Sequence, residues 1–331
     1  MQENKSEYFN LLKEQVIKMK KEYNLGKATR QAYGESLVEL GKTNENIVVL
    51  DADLSKSTYS NRFQDAFPNR FFNIGIAEAN MISIAAGLAA GGKIPFASSF
   101  ATFLMSKGFD QLRQSVAYPN FNVKICGSHS GISIGEDGPS QMGIEDIALA
   151  CALPGFTVVI PADEVAVKQL MPQILNHKGP VYIRTGRPKS AEVYNDHSKL
   201  ELGKANLLRD GSDITIAAMG LMVVEALKAA DELEDLGIST RVVDFHTVKP
   251  IDREMVASCA RETKAILCVE EHLLDGGLGS IVSRVVTETA PVKMGFIGLE
   301  SYAESGTPDE LLDRYGLRAV NIVDKAKELL K

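Results

Sequence analysis

The chain has 331 residues, 45% of them hydrophobic and 24% charged, with a net charge of −7; that is enough for about two domains, each burying its own core. An ordinary globular composition with an acidic balance argues against a nucleic-acid partner, which would require a basic face. No stretch is apolar enough to span a membrane, and the opening Met-Gln-Glu-Asn-Lys lacks the apolar centre of a signal peptide, so no membrane partner and a cytoplasmic location are expected.

Residues 1–26 are charged and carry Tyr8, Leu11, Leu12 and Val16 at helical spacing, the pattern of an amphipathic docking arm. From Lys27 the chain alternates: helix at 28–41, strand at 47–50, helix from Glu78, strand at 94–97, helix at 102–117, strand at 123–126. A glycine-rich loop runs to Gly143, a helix starts at Ile144, and strands follow at 157–160 and 181–184. Strands separated by such helices imply βαβ units and a mostly parallel sheet. The polar segment 191–204 reads as a linker. Beyond it a second α/β series has strands at 214–217, 240–243, 265–269 and 293–298, with helix starts at Asp252 and Thr307. The expected organisation is an arm over 1–26, a first domain over 27–190, the linker, and a second domain over 205–331. The four cysteines show no Cys-x-x-Cys spacing. Cys126, Cys151 and Cys268 lie in apolar runs and read as buried free thiols.

One stretch stands apart. Asn73-Ile74-Gly75 leads through Ile76-Ala77 into a helix of almost wholly small and apolar residues, with Glu78 near its start and no Lys or Arg close in sequence. A helix apolar all round is a buried one. A carboxylate there serves ordinarily as a dipole partner in a first turn, yet burial obliges it to find a donor or change its pKa. Other polar residues fall at strand ends, where open parallel sheets bind ligands. Asp51, Asp53, Ser55 and Ser57 follow the first strand. Ser128, His129 and the loop 131–141 follow the strand at 123–126, and Arg184 and Arg187 close the one at 181–184. Two arginines, serines and a histidine on one sheet edge suit a phosphate. Taken singly, a residue such as His129 is more often a structural histidine than a catalyst, Arg187 more often a surface ion pair, and Phe103 and Phe109 are by default core fillers rather than a slot for a flat heteroaromatic ring.

Ala28-Thr29-Arg30, Asp51-Ala52-Asp53-Leu54-Ser55, Asn73-Ile74-Gly75-Ile76-Ala77-Glu78, Ala101-Thr102-Phe103-Leu104 and Gly135-Glu136-Asp137-Gly138-Pro139-Ser140 occur in the order and at the spacings of transketolases. From about Lys27 to its end the chain resembles the C-terminal half of that family, and most of all the smaller subunit of a split, two-polypeptide transketolase. The resemblance implies a pyrimidine-binding α/β domain followed by the transketolase C-terminal α/β domain, and transfer of a two-carbon ketol unit between sugar phosphates with thiamine diphosphate. Glu78 then matches the carboxylate that hydrogen-bonds the cofactor's aminopyrimidine and promotes its imino tautomer. Phe103 and Phe109 match aromatics around that ring, with Ser106 where some relatives have a third, and Asp53 matches an acid near the cofactor. His129 matches a histidine at the substrate's reacting end or phosphate, Asp137 the carboxylate that reads a hydroxyl beside the carbonyl, and Arg30, Ser57 and Arg187 the sugar-phosphate anchors. Gln141 departs from a family histidine and can hydrogen-bond but not carry a proton; Ala79 departs from a larger polar residue.

The family's Gly-Asp-Gly…Asn signature for Mg²⁺ and the diphosphate is absent, the near misses being Arg209-Asp210-Gly211 and Glu136-Asp137-Gly138. The resemblance therefore implies that a separate N-terminal subunit supplies Mg²⁺ and the diphosphate site, in a heterotetramer of two large and two small chains. A 1-deoxyxylulose-5-phosphate synthase-like half, a 2-oxoacid dehydrogenase beta-type subunit and a non-catalytic paralogue are the competing expectations. Glu270-Glu271-His272, after the strand at 265–269, reads as a structural or interface cluster.

Overall fold

A computed structural model describes residues 23–331; the arm's apolar positions Tyr8, Leu11, Leu12 and Val16 lie outside the described residues. Twelve strands are described: β1 Ile47–Asp51, β2 Phe71–Asn73, β3 Ile94–Phe100, β4 Lys124–Ser128, β5 Thr157–Val159, β6 Val181–Arg184, β7 Asn206–Arg209, β8 Ile214–Ala218, β9 Thr240–Asp244, β10 Thr247–Lys249, β11 Ala265–Leu273 and β12 Lys293–Leu299. The longer helices are α1 Thr29–Thr43, α2 Glu78–Ala90, α3 Ala101–Lys107, α4 Asp146–Ala152, α5 Glu164–Asn176, α6 Met222–Asp235, α7 Arg253–Glu262, α8 Leu278–Thr289, α9 Pro308–Arg314 and α10 Ala319–Leu329.

Two sheets result, ordered β10-β5-β6-β4-β3-β1-β2 and β12-β11-β8-β9-β7. All pairings are parallel except β10 with β5 and β7 with β9. Strands covered by helices on both faces must be apolar throughout, and β1, with every residue buried, shows it. Asp252 and Thr307 do cap α7 and α9, each accepting a backbone N–H. Among the described residues no helix is long and apolar enough to cross a membrane.

Three expectations are corrected by packing, and one strand crosses between the sheets: β10, from the second α/β series, pairs antiparallel with β5, Thr247 opposite Val159. The helix expected over 102–117 breaks at Gly108, giving α3, a turn at Phe109–Gln111 and a π-helix at Leu112–Ala117. A Cβ on Gly108 would stand 2.1 Å from Cδ1 of Ile82 and 2.8 Å from the Leu104 carbonyl, so the break is where α3 crosses α2. α2 is buried on one face only, through Glu78, Met81, Ile82, Ala85 and Ala86. Its opposite face, including Ile84 and Gly87, is open, and Ile76 just before it is 78% exposed. Among the thiols, Cys259 is buried with Cys126 and Cys268, while Cys151 is half-buried; all four are free.

The segment 191–204 has no regular structure, but it is strapped down. Asp163 accepts from the backbone N–H groups of Val193 and Tyr194 (2.8 and 2.7 Å), and the Tyr194 hydroxyl donates to Asp244 at 2.7 Å. Leu25 bridges to Ala191, which ties the start of the described chain to the same strap.

Candidate active site

The first sheet's order reverses at β1, which has β2 on one side and β3 on the other. The crevice at the carboxyl ends of β1 and β3 is thus the topological switch point, where open parallel sheets take ligands. Glu78 stands there. Asn73 Oδ1 accepts the Gly75 N–H at 3.0 Å, Gly75 turns the chain at φ +80°, and α2 begins at once with Glu78 turned inward, 2% exposed. The Ser99 hydroxyl donates to Glu78 Oε1 at 3.4 Å, and Lys107 Nζ stands 3.6 Å from Oε2. The same ammonium lies 4.5 Å from the centre of the Phe103 ring. The counter-charge missing from the local sequence comes from the far end of α3.

The aromatics regroup. Phe103 stacks on Phe100 (centroids 5.6 Å apart, planes 14° apart), and Phe100 stacks on the His129 imidazole at 3.9 Å. Phe109, beyond the break at Gly108, packs with a different hydrophobic cluster from the one Phe103 joins. Phe100 went unnoticed in the sequence because it reads as one more apolar strand residue. Its place at the carboxyl end of β3 was the available signal.

His129 joins this stack to an anion-binding group. It occupies the left-handed region at φ +58°, an uncommon conformation for a residue with a Cβ. Arg30, always a donor, directs Nη1 to His129 Nε2 at 3.2 Å, so Nε2 is the acceptor and Nδ1 carries the hydrogen, donated to Ser128 Oγ at 2.9 Å. Burial, then the Arg30 and Arg187 guanidinium groups, push the imidazole pKa down to about 3. Arg30 also donates to the Ser57 carbonyl at 2.7 Å and the Arg187 carbonyl at 3.3 Å, and lies over the Tyr59 ring. Burial, with Arg187 nearby, lowers its pKa. Arg187 donates to Glu136 Oε2 at 2.8 Å and to the Ile134 carbonyl. Arg30, Ser57, His129 and Arg187 therefore meet, although Ser57 enters through its backbone.

Because the folded pKa of His129 lies below the ordinary histidine value of about 6.5, the ring contributes stability above that value and loses it as pH falls toward 3. We expect ¹⁵N NMR of the folded chain to show a neutral Nδ1–H tautomer unchanged from pH 8 to pH 5; a protonated imidazolium at pH 6 would contradict this geometry.

The remaining candidates lie at the rim or inside the frame. Asp53, at φ +66°, is exposed and accepts from Asn73 Nδ2 at 2.9 Å. Asp137 is exposed on the loop after β4, and its side chain makes no hydrogen bond or ion pair among the described residues. That loop is held against the second domain, where the Ser305 hydroxyl donates to the Glu136 carbonyl at 2.6 Å. Gln141 is half-buried and accepts from Ser140. Asp51 is fully buried and organises the loop after β1, accepting from the Leu54 N–H and the Thr58 and Ser60 hydroxyls; burial raises its pKa to about 6.

Arg184 leaves the phosphate group altogether. It is buried and donates to Asp146 Oδ2 at 2.9 Å and to the carbonyls of Gly143 and Glu271. The Glu270-Glu271-His272 cluster lies within β11 and is structural. Glu270 accepts the first N–H groups of α8 (2.7 and 2.9 Å), and Glu271 accepts the Ser133 N–H at 2.6 Å. His272, pushed by burial to about 4, is neutral, so its 3.9 Å approach to Asp146 is not an ion pair. No group of three His, Cys, Asp or Glu side chains that could hold a metal occurs among the described residues.

Comparison with known proteins matches this geometry to a family. Residues 26–191 fit the family model "Transketolase, pyrimidine binding domain" and residues 203–322 "Transketolase, C-terminal domain". A protein of Methanocaldococcus jannaschii named as a candidate transketolase C-terminal section is 44% identical over 309 residues, 92% of this chain and 97% of its own length. A 6-deoxy-6-sulfo-D-fructose transketolase subunit of Clostridium sp. (strain MSTE9) is 42% identical, over 91% of this chain and 94% of that one. Among solved structures, a split gene transketolase described as an inactive beta4 tetramer superposes with a TM-score of 0.87 at 46% identity, covering 92% of this chain and 99% of the other.

Proposed function

The chain belongs to the transketolase family, and from that premise we propose that it is the C-terminal subunit of a two-polypeptide transketolase. With a separate N-terminal subunit it would move a two-carbon ketol unit from a ketose phosphate to an aldose phosphate. The observation that carries this reading is the dry Glu78 carboxylate at the switch point, linked through Lys107 and the Phe103–Phe100 stack to the Arg30–His129 group.

A carboxylate at a helix N-terminus opposite an aromatic face fits the aminopyrimidine end of thiamine diphosphate, which when bound supplies the nucleophilic carbon for ketol transfer. Glu78 would hold a proton at a ring nitrogen. Phe103, backed by Phe100, would give the ring a flat surface, and Asp53 stands at the rim. Phe109 supports the α2 packing beneath rather than the slot. Arg30 and Arg187 would take the substrate's terminal anion, helped by the Ser57 segment. An anion that engages the Arg30 guanidinium leaves His129 Nε2 free to accept a substrate hydroxyl, and Asp137 stands exposed to read a second one. We assign the metal-diphosphate end, with Mg²⁺, to the partner because the family's Gly-Asp-Gly…Asn signature does not occur in this sequence.

The open apolar face of α2, with Ile76 and Ile84 beside Glu78, supports self-association at the site and a heterotetramer of two chains of each kind. The Clostridium relative favours a second reading of the anion-binding end alone, because a sulfonate offers Arg30 and Arg187 the same three-oxygen anion as a phosphate. The test is ketol transfer by the reconstituted two-chain complex, followed by mass spectrometry with phosphate- and sulfonate-ended sugars and with pyruvate as alternative donor. Transfer from a ketose phosphate requiring both chains is expected. Pyruvate serving as the donor in its place would sink the proposal in favour of a synthase-like or dehydrogenase-like half.

A further inference from the structure

We propose that Lys107 is a positioning residue for Glu78: its ammonium, seated on the Phe103 face, holds the carboxyl group in orientation at the mouth of the slot. This rests on the assignment of Glu78 to the cofactor's ring. Phe103 and Lys107 are one helical turn apart on α3, the spacing at which side chains meet, and the ammonium lies 4.5 Å from the Phe103 ring centre and 3.6 Å from Glu78 Oε2. α3 ends at Lys107 because Gly108 lets the chain pass within contact of Ile82 on α2. The crossing that carries Glu78 inward thus also fixes where the lysine starts.

The two carboxylate oxygens are divided. Oε1 accepts from the Ser99 hydroxyl and Oε2 faces the ammonium. No other hydrogen bond or ion pair reaches Glu78 among the described residues. Asp110 and Arg113, on the segment packed against α2, are exposed, and Asp51 on β1 is committed to its own loop. An acid that must share a proton with a weakly basic ring nitrogen is useful only if its oxygens are aimed. The half-exposed lysine aims Oε2 while remaining able to swing away.

The experiment has two arms. In thermal unfolding of the full chain at neutral pH, Lys107→Met should lower the midpoint in the Glu78 background and have no effect in Glu78→Gln, with Lys107→Arg restoring it; additive losses would overturn the pairing. In the reconstituted complex, calorimetry should show thiamine diphosphate binding weakened about tenfold by Lys107→Met, restored by Lys107→Arg, and unaffected by Lys107→Met when Glu78→Gln is already present. An unchanged affinity, or an equal loss in the Glu78→Gln background, would overturn the positioning role. Should the complex bind no cofactor at all, the proposed function falls, while the unfolding arm still decides the pairing.

Discussion

The Glu78→Gln variant of the reconstituted complex should fold, assemble and lose about 10²–10⁴-fold in kcat, the range that a positioned proton-transfer group contributes. Gln fills the same volume and can keep a hydrogen bond with Ser99, so the loss isolates the ability to share a proton. Removing the charge at 2% exposure leaves no buried acid uncompensated, and Lys107, with a half-exposed side chain, can turn to water. Unfolding of the variant close to wild type, together with the fall in kcat, is the expected pair of results. Retention of more than about a tenth of the activity would remove Glu78 from the chemistry.

Asp146→Ala should be the most destabilising single change near the site, by about 3–5 kcal/mol, measured by urea unfolding. Asp146 is fully buried and holds two donors on one oxygen, Tyr182 Oη at 2.6 Å and Arg184 Nε at 2.9 Å. Its removal leaves the Arg184 guanidinium buried with only carbonyl partners and the Glu271 carboxylate for compensation. An apolar pair, Asp146→Leu with Arg184→Met, should recover most of the loss, because the cost of a broken buried pair lies in the stranded charge. A single-variant loss under about 1 kcal/mol would show that the guanidinium finds water or Glu271 instead. Since Arg184 ties β6 to the Gly143 and Glu271 carbonyls, activity should fall with stability rather than independently of it.

These two residues show what sequence carries and what it hides. Glu78 was legible because a lone carboxylate before an apolar helix contradicts ordinary burial. Its partner was not, since Lys107 meets it only through the α2–α3 crossing at Gly108. Arg184 and Arg187 look alike in sequence, three apart at one strand end; β6 turns one into the core and the other to the rim. Strands such as β1 and β8, apolar but for Asp51 and Thr215, announce themselves. β2, β7 and β10, three or four residues each, are too short to carry a period, and β10 exists only because another domain's sheet offers it an edge. The apolar composition of α2 suggested burial on every side, whereas half of that face is open, as a surface awaiting a second chain would be.

On the proposed function this chain holds one half of a shared site, which calorimetric titration of the purified chain with thiamine diphosphate and Mg²⁺, alone and then with the proposed N-terminal subunit, can decide. No detectable heat of binding is expected until that subunit is present, then saturable binding at one cofactor per pair of chains. Micromolar binding by the lone chain would contradict it, because the diphosphate and metal would then have a home within these residues.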